Sequence, residues 1–169
     1  MERENRIEKP PVLYHGSGNR NIKVFEPREN TRQKDGEKKE FVFATDSFVK
    51  ALPYMFKNES RDFSYSSGQR NGVITAVFPL SEQDLRIRDE GGAVYELSGD
   101  EFEEGDGYEW ASEKPTNPLN KIEFDSTVDA MIENGVKVYC LSQKDYEDYL
   151  SLNSGEDRFS FLQNFKPLE

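Results

Sequence analysis

"VLYHGSGN", residues 12–19, is the stretch on which the reading of this chain turns. An apolar run ends on His15, the one histidine of the sequence, and Gly16, Ser17 and Gly18 follow at once. Val12, Leu13 and Tyr14 suit a pleated, half-buried surface, so they read as a short strand. The glycines then break it. An imidazole at the mouth of such a turn is either a hydrogen-bonded structural residue or a group that meets a ligand. A glycine beside it would let the backbone approach that ligand closely, since no Cβ intervenes.

Bulk properties narrow the choice. A chain of 169 residues is long enough for one domain with its own core. Charged residues make up 33%, but 12% are aromatic, and rings hide enough apolar surface to argue against disorder. The net charge of −11 disfavours a broad grip on a nucleic-acid backbone while leaving room for a local basic site. Cys140 is the sole cysteine, which excludes an intramolecular disulfide and a Cys-rich zinc site. Within "VKVYCL" it reads as a small core residue. No apolar run is long enough to span a membrane, and "MERENRIEKPP" lacks the apolar stretch of a secretory signal, so a cytoplasmic protein is expected.

Residues 1–11 read as a flexible N-terminal arm closed by Pro10 and Pro11, and residues 12–169 as a single domain. "NIKVFEP" (21–27) looks extended, and 28–40 is a charged loop holding Arg28, Arg32, Lys34, Lys38 and Lys39. "FVFAT" (41–45) is a buried strand. "DSFVKALPYMFK" (46–57) has helical spacing through Phe48, Leu52 and Met55 or Phe56, with Asp46 or Ser47 to cap it and Pro53 to kink or split it. Residues 61–72 read as a polar loop. "VITAVFPL" (73–80), "AVYEL" (93–97), "YEWAS" (108–112) and "KIEF" (121–124) read as strands, with an acidic, turn-rich 101–107 between them. Ser126, with Asp129 three residues on as in a capping box, opens a helix that stops at Gly135. "VKVYCL" (136–141) follows as a central strand, then two short helices over 142–152 and 158–165. The fold class is α+β, with a split antiparallel β core and short flanking helices.

No P-loop, dinucleotide-binding glycine fingerprint, paired-histidine zinc helix or nucleophile elbow is present. One histidine plus carboxylates makes a poor metal site, and the acidic 98–109 lacks EF-hand spacing, so no metal is expected. What remains is an ordered series: "LYHGS", then "FVFATDSFVKALPYM", then a strand-rich middle, then "YEWASEKP".

This series, over roughly residues 12–142, resembles the ADP-ribosyltransferase fold in its His-Tyr-Glu branch. Poly-ADP-ribose polymerases, diphtheria-type toxins, DNA-modifying transferase toxins and tRNA 2′-phosphotransferases share that architecture. Small bacterial and phage proteins with an N-terminal "YHGS" look similar too. In that branch the first strand ends in His-Gly-Ser or His-Gly-Thr, matched by His15, Gly16 and Ser17. A second strand ending in Phe-Ala leads into the helix carrying the triad tyrosine, which nominates Tyr54. A later strand supplies the glutamate, nominating Glu109, with Glu113 as the alternative.

The resemblance implies NAD as substrate, held bent in a cleft and consumed by mono-ADP-ribosyl transfer with release of nicotinamide. It implies His15 on a ribose hydroxyl, Gly16 and Ser17 beside the ligand, Tyr54 stacked on nicotinamide, and Glu109 on the nicotinamide ribose. Arg20 is the expected partner of the pyrophosphate. The acceptor is a protein, a nucleic acid or a small molecule. Pro53 directly before Tyr54 departs from a regular helix at the stacking residue. With one histidine the chain lacks the second one that tRNA 2′-phosphotransferases use. The alternative reading is a catalytically inactive module of the same fold that binds a nucleotide or a protein partner.

Overall fold

The computed structural model describes residues 8–29, 39–56, 64–105 and 109–169. β1 (Val12–Ser17) is the strand that opens the chain. Residues 21–27, expected to be extended, hold no strand; Phe25 alone bridges, to Thr116, and its ring is buried. β2 (Arg28–Glu29) and β3 (Glu40–Thr45) come next. The rest of the basic stretch, 30–38, lies outside the described residues. α1 (Phe48–Ala51) starts at Ser47, whose side chain accepts from the Lys50 N–H. It gives way to a 3₁₀ turn, Leu52–Met55, with Pro53 in its first turn. Proline has no N–H for the α ladder, so the helix breaks where the sequence says it must.

β4 (Ser66–Arg70) and β5 (Val73–Phe78) form a hairpin. The second half of the expected polar loop is therefore a strand. Asn71 and Gly72 turn it with φ of 50° and 77°, the two left-handed positions of a two-residue turn. Then follow α2 (Glu82–Arg88), β6 (Gly92–Ser98), β7 (Glu103–Glu104), β8 (Glu109–Ser112), β9 (Asn120–Phe124), α3 (Thr127–Glu133), β10 (Lys137–Cys140), α4 (Gln143–Ser151) and α5 (Gly155–Leu162). α3 ends at Gly135, with φ of 83°, as its sequence implies.

The protein is α+β. The larger sheet runs β7-β8-β3-β1-β6-β9, with β2 added to β3, and each pairing is antiparallel. The smaller sheet runs β10-β5-β4. An antiparallel core is thus correct for the larger sheet and incomplete for the smaller, because β10 lies parallel to β5. β10 is also an edge strand and not a central one; β5, the more apolar run, takes the centre. Alternation along the strands sends side chains to two cores. Val94 faces Leu52, Met55, Phe78, Met131 and Val138. Leu13, Ala44, Tyr95 and Trp110 fill the other face of the larger sheet. Of the expected N-terminal arm, residues 1–7 lie outside the described residues; at its end, Gly99 donates its N–H to the Pro11 carbonyl at 3.0 Å, and Lys9 reaches the Asp100 carbonyl at 3.1 Å.

Candidate functional site

β1 and β3 are neighbours, yet they pair at one register position, Tyr14 opposite Thr45. Past that point the ladder stops. There His15 donates its Nδ1–H to the Phe43 carbonyl oxygen at 2.6 Å, so a side chain takes the place of a backbone rung. The Phe25 ring packs beside the imidazole, with centroids 4.6 Å apart. On the far side of β3, Glu109 of β8 lies opposite Thr45. Tyr14, Thr45 and Glu109 therefore form a row across three strands at the place where the sheet opens.

A cleft of about 570 Å³ begins there. It is lined by Tyr14–Gly16 of β1, Phe43–Thr45 of β3, Ser67–Gln69 of β4, Ile74, Glu109, and Lys50 and Tyr54 from the segment after β3. Between β1 and β3 the cleft follows strand edges left unpaired past Tyr14 and Thr45. At β4 it is lined by Gln69 and its cross-strand partner Ile74, which share a face, so there it lies against the face of the β4–β5 hairpin.

Its chemistry is mixed. Burial pushes the His15 imidazole below its usual pKa; the Phe43 carbonyl opposes the shift and the Arg28 charge adds to it. The ring is neutral, and with Nδ1–H committed to a carbonyl its Nε2 is an acceptor. A group that pairs with it must donate, as a hydroxyl does. Lys50 brings positive charge, with Nζ 3.0 Å from Asp46. Tyr54 is 52% exposed, because the break at Pro53 holds its ring out of the core. The turn that carries it is fixed by the Tyr65 hydroxyl, which donates to the Pro53 carbonyl at 2.7 Å.

Of the residues nominated from the sequence, His15, Gly16, Tyr54 and Glu109 come together. Ser17 and Arg20 do not line the cleft. Ser17 Oγ accepts from the Asn19 N–H at 3.1 Å. Arg20 donates to the carbonyls of Glu90 and Phe124 at 2.9 and 2.8 Å, on the other side of β6, so the pyrophosphate role expected of it has no geometric support. Glu113 is outside the lining and pairs with Lys39 at 3.5 Å. At Gly16, which lines the cleft, a Cβ would fall 2.0 Å from the Ala51 carbonyl oxygen, so its missing side chain lets α1 approach β1.

Lys50, Ser67 and Gln69 were not read from the sequence as site residues. The one signal for the last two is Asn71-Gly72, a hairpin turn that implies a strand before it. Among the described residues no group of three or more His, Cys, Asp or Glu could hold a metal ion, and no helix is long and apolar enough to cross a membrane. Cys140 is half-buried away from the cleft, its thiol pushed up to about 11 mainly by burial. Comparisons with protein-family models, curated proteins and solved structures give no match.

Proposed function

We propose that the protein is an NAD-dependent mono-ADP-ribosyltransferase with an ADP-ribosyltransferase-like fold. One observation carries the reading: His15, Tyr54 and Glu109, from three distant parts of the chain, line a single cleft at the point where the sheet opens. They are the residues that the sequence resemblance nominates as a His-Tyr-Glu triad, with Glu113 as the alternative glutamate.

The chemistry of each group suits the reaction. The acceptor at His15 Nε2 takes a ribose hydroxyl of NAD. The exposed Tyr54 ring offers a face for offset stacking on nicotinamide. The Glu109 carboxylate accepts from the 2′-hydroxyl of the nicotinamide ribose and sets negative charge beside C1′. As the C1′–nitrogen bond breaks, nicotinamide leaves with the electron pair and positive charge develops on the ribose. Fixed negative charge lowers the energy of that state. The acceptor's nucleophilic atom then forms its bond to C1′ and yields its proton to solvent.

Melting wild type and His15→Ala with and without NAD tests the binding half of the proposal. NAD raises the melting temperature of wild type and leaves that of the variant unchanged. Equal shifts in the two proteins, or none in either, sink it.

A further inference from the structure

β4 is the last strand of the smaller sheet, and among the described residues β5 is its sole neighbour. The turn at Asn71 and Gly72 fixes which groups face the other way. In a two-residue hairpin the residues flanking the turn, here Arg70 and Val73, exchange both backbone bonds, and the pattern alternates from there. Gly68 and Ser66 therefore bond β5, while the N–H and C=O groups of Ser67 and Gln69 point outward. Ser67 and Gln69 share a face of the hairpin with Ile74, and all three line the cleft. A strand added at the edge of β4 would continue that face, so alternate side chains along it would point to the cleft.

Strand edges in natural proteins are blunted by charged side chains, proline, a bulge or a covering segment. β4 reads Ser-Ser-Gly-Gln-Arg, has one charged residue at its end, and has no covering strand among the described residues. Arg70 is turned aside toward Glu156, 3.5 Å away, and the Phe159 ring. β9, at an edge of the larger sheet, carries Lys121 as its second residue.

We infer that the open edge of β4 takes an extended, cationic polypeptide segment as an added strand, which delivers one of its side chains to the cleft. A row of outward N–H and C=O groups at strand spacing is matched by another extended backbone. Positive charge on the segment complements a chain of net charge −11. The fate of the delivered side chain rests on the transferase reading: its nucleophilic atom bonds to C1′ as nicotinamide departs, and its proton goes to solvent. Strand addition itself stands apart from that reading.

The probe is lysozyme, reduced and carbamidomethylated, which is an unfolded cationic polypeptide; disulfide-intact lysozyme, of the same charge, is the folded control. The unfolded form binds at least about tenfold more tightly than the folded one, because only it has backbone to offer. The double variant Ser67→Pro/Gln69→Pro removes two outward N–H groups and no rung to β5, and weakens that binding about tenfold. Gln69→Thr keeps both backbone groups and binds like wild type. Equal binding of the two lysozyme forms, or an unaffected double proline variant, overturns the inference. Should the proline variant melt early, amide hydrogen exchange of wild type decides: unfolded lysozyme slows exchange at Ser67 and Gln69, and unchanged exchange is the contrary result. Nicotinamide release from NAD is measured with and without unfolded lysozyme, water being the only acceptor in its absence. Binding with no release in either sample refutes the transferase and keeps strand addition; release without binding does the reverse.

Discussion

His15 Nδ1 and the Phe43 carbonyl oxygen, 2.6 Å apart, close the gap that opens between β1 and β3 one residue past their single backbone pairing. That contact fixes the tautomer of the imidazole. It also keeps two strands aligned that share almost no ladder.

A neutral, buried histidine has a signature in stability against pH. In the unfolded chain it titrates near 6.5, and burial lowers the folded value. Below 6.5 the unfolded state binds a proton that the folded state refuses, so the native protein loses stability as pH falls until the folded imidazole titrates too. Above 6.5 the effect is absent. In urea unfolding at pH 7.5 and 5.5, wild type loses more stability than His15→Asn. A gap between the two proteins that stays constant argues for a histidine that charges freely in the fold.

Gly16 is set by packing. Gly16→Ala places a methyl carbon 2.0 Å from the Ala51 carbonyl oxygen, a backbone atom that cannot swing aside. The expected cost is about 3 kcal/mol, the upper range for forced overpacking. A denaturation midpoint close to that of wild type would show that α1 shifts to make room.

Asp89 holds the start of α3. Its carboxylate accepts from the N–H groups of Val128, Thr127 and Gly91 and from the Ser126 hydroxyl, at 2.7–3.0 Å. Burial raises its pKa, and the four hydrogen bonds outweigh that and hold it below 3.8. Asp89→Ala costs roughly 2–3 kcal/mol at neutral pH by removing these bonds. The contribution is complete above 3.8 and lost as pH drops through the lower folded value, so wild type and variant converge in acid. Thermal melts from pH 7 to pH 2.5 check both the size and the convergence.

Thr127 Oγ1 is buried with no hydrogen-bond partner among the described residues. Thr127→Val keeps the shape and removes an unsatisfied hydroxyl. It leaves stability unchanged or raises it by up to about 1 kcal/mol. A clear loss in chemical denaturation would mean that the hydroxyl has a partner in solution.

The opening strand, the Phe43-Ala44-Thr45 strand, the split helix at Pro53 and the Ser126 cap were legible because each rests on local chemistry: apolar alternation, a missing N–H, a hydroxyl at an N-terminus. The reciprocal half of the Ser126 capping box was not. Asp129 turns its carboxylate to Arg86 at 2.9 Å, and Asp89, distant in sequence, takes the helix N-terminus instead. β4 was missed because Ser-Ser-Gly-Gln has no apolar face, and it is held by pairing with β5. α2 went unread since Leu85 is its one buried residue, although Ser81 followed by Asp84 marks its start as Ser142 with Asp145 and Ser154 with Asp157 mark α4 and α5. Arg20 looks like a phosphate ligand in one dimension. Only the fold shows its guanidinium tied to two carbonyls.

Nicotinamide released from NAD by wild type, Glu109→Gln and Glu113→Gln tests the central claim most directly. Glu109 lines the cleft, whereas Glu113 pairs with Lys39 outside it. Wild type and Glu113→Gln release nicotinamide at similar rates. Glu109→Gln is slower by about 100-fold or more, as for loss of one preorganised electrostatic group, with NAD affinity little changed. Release at equal rates by all three proteins, or by none, contradicts the account.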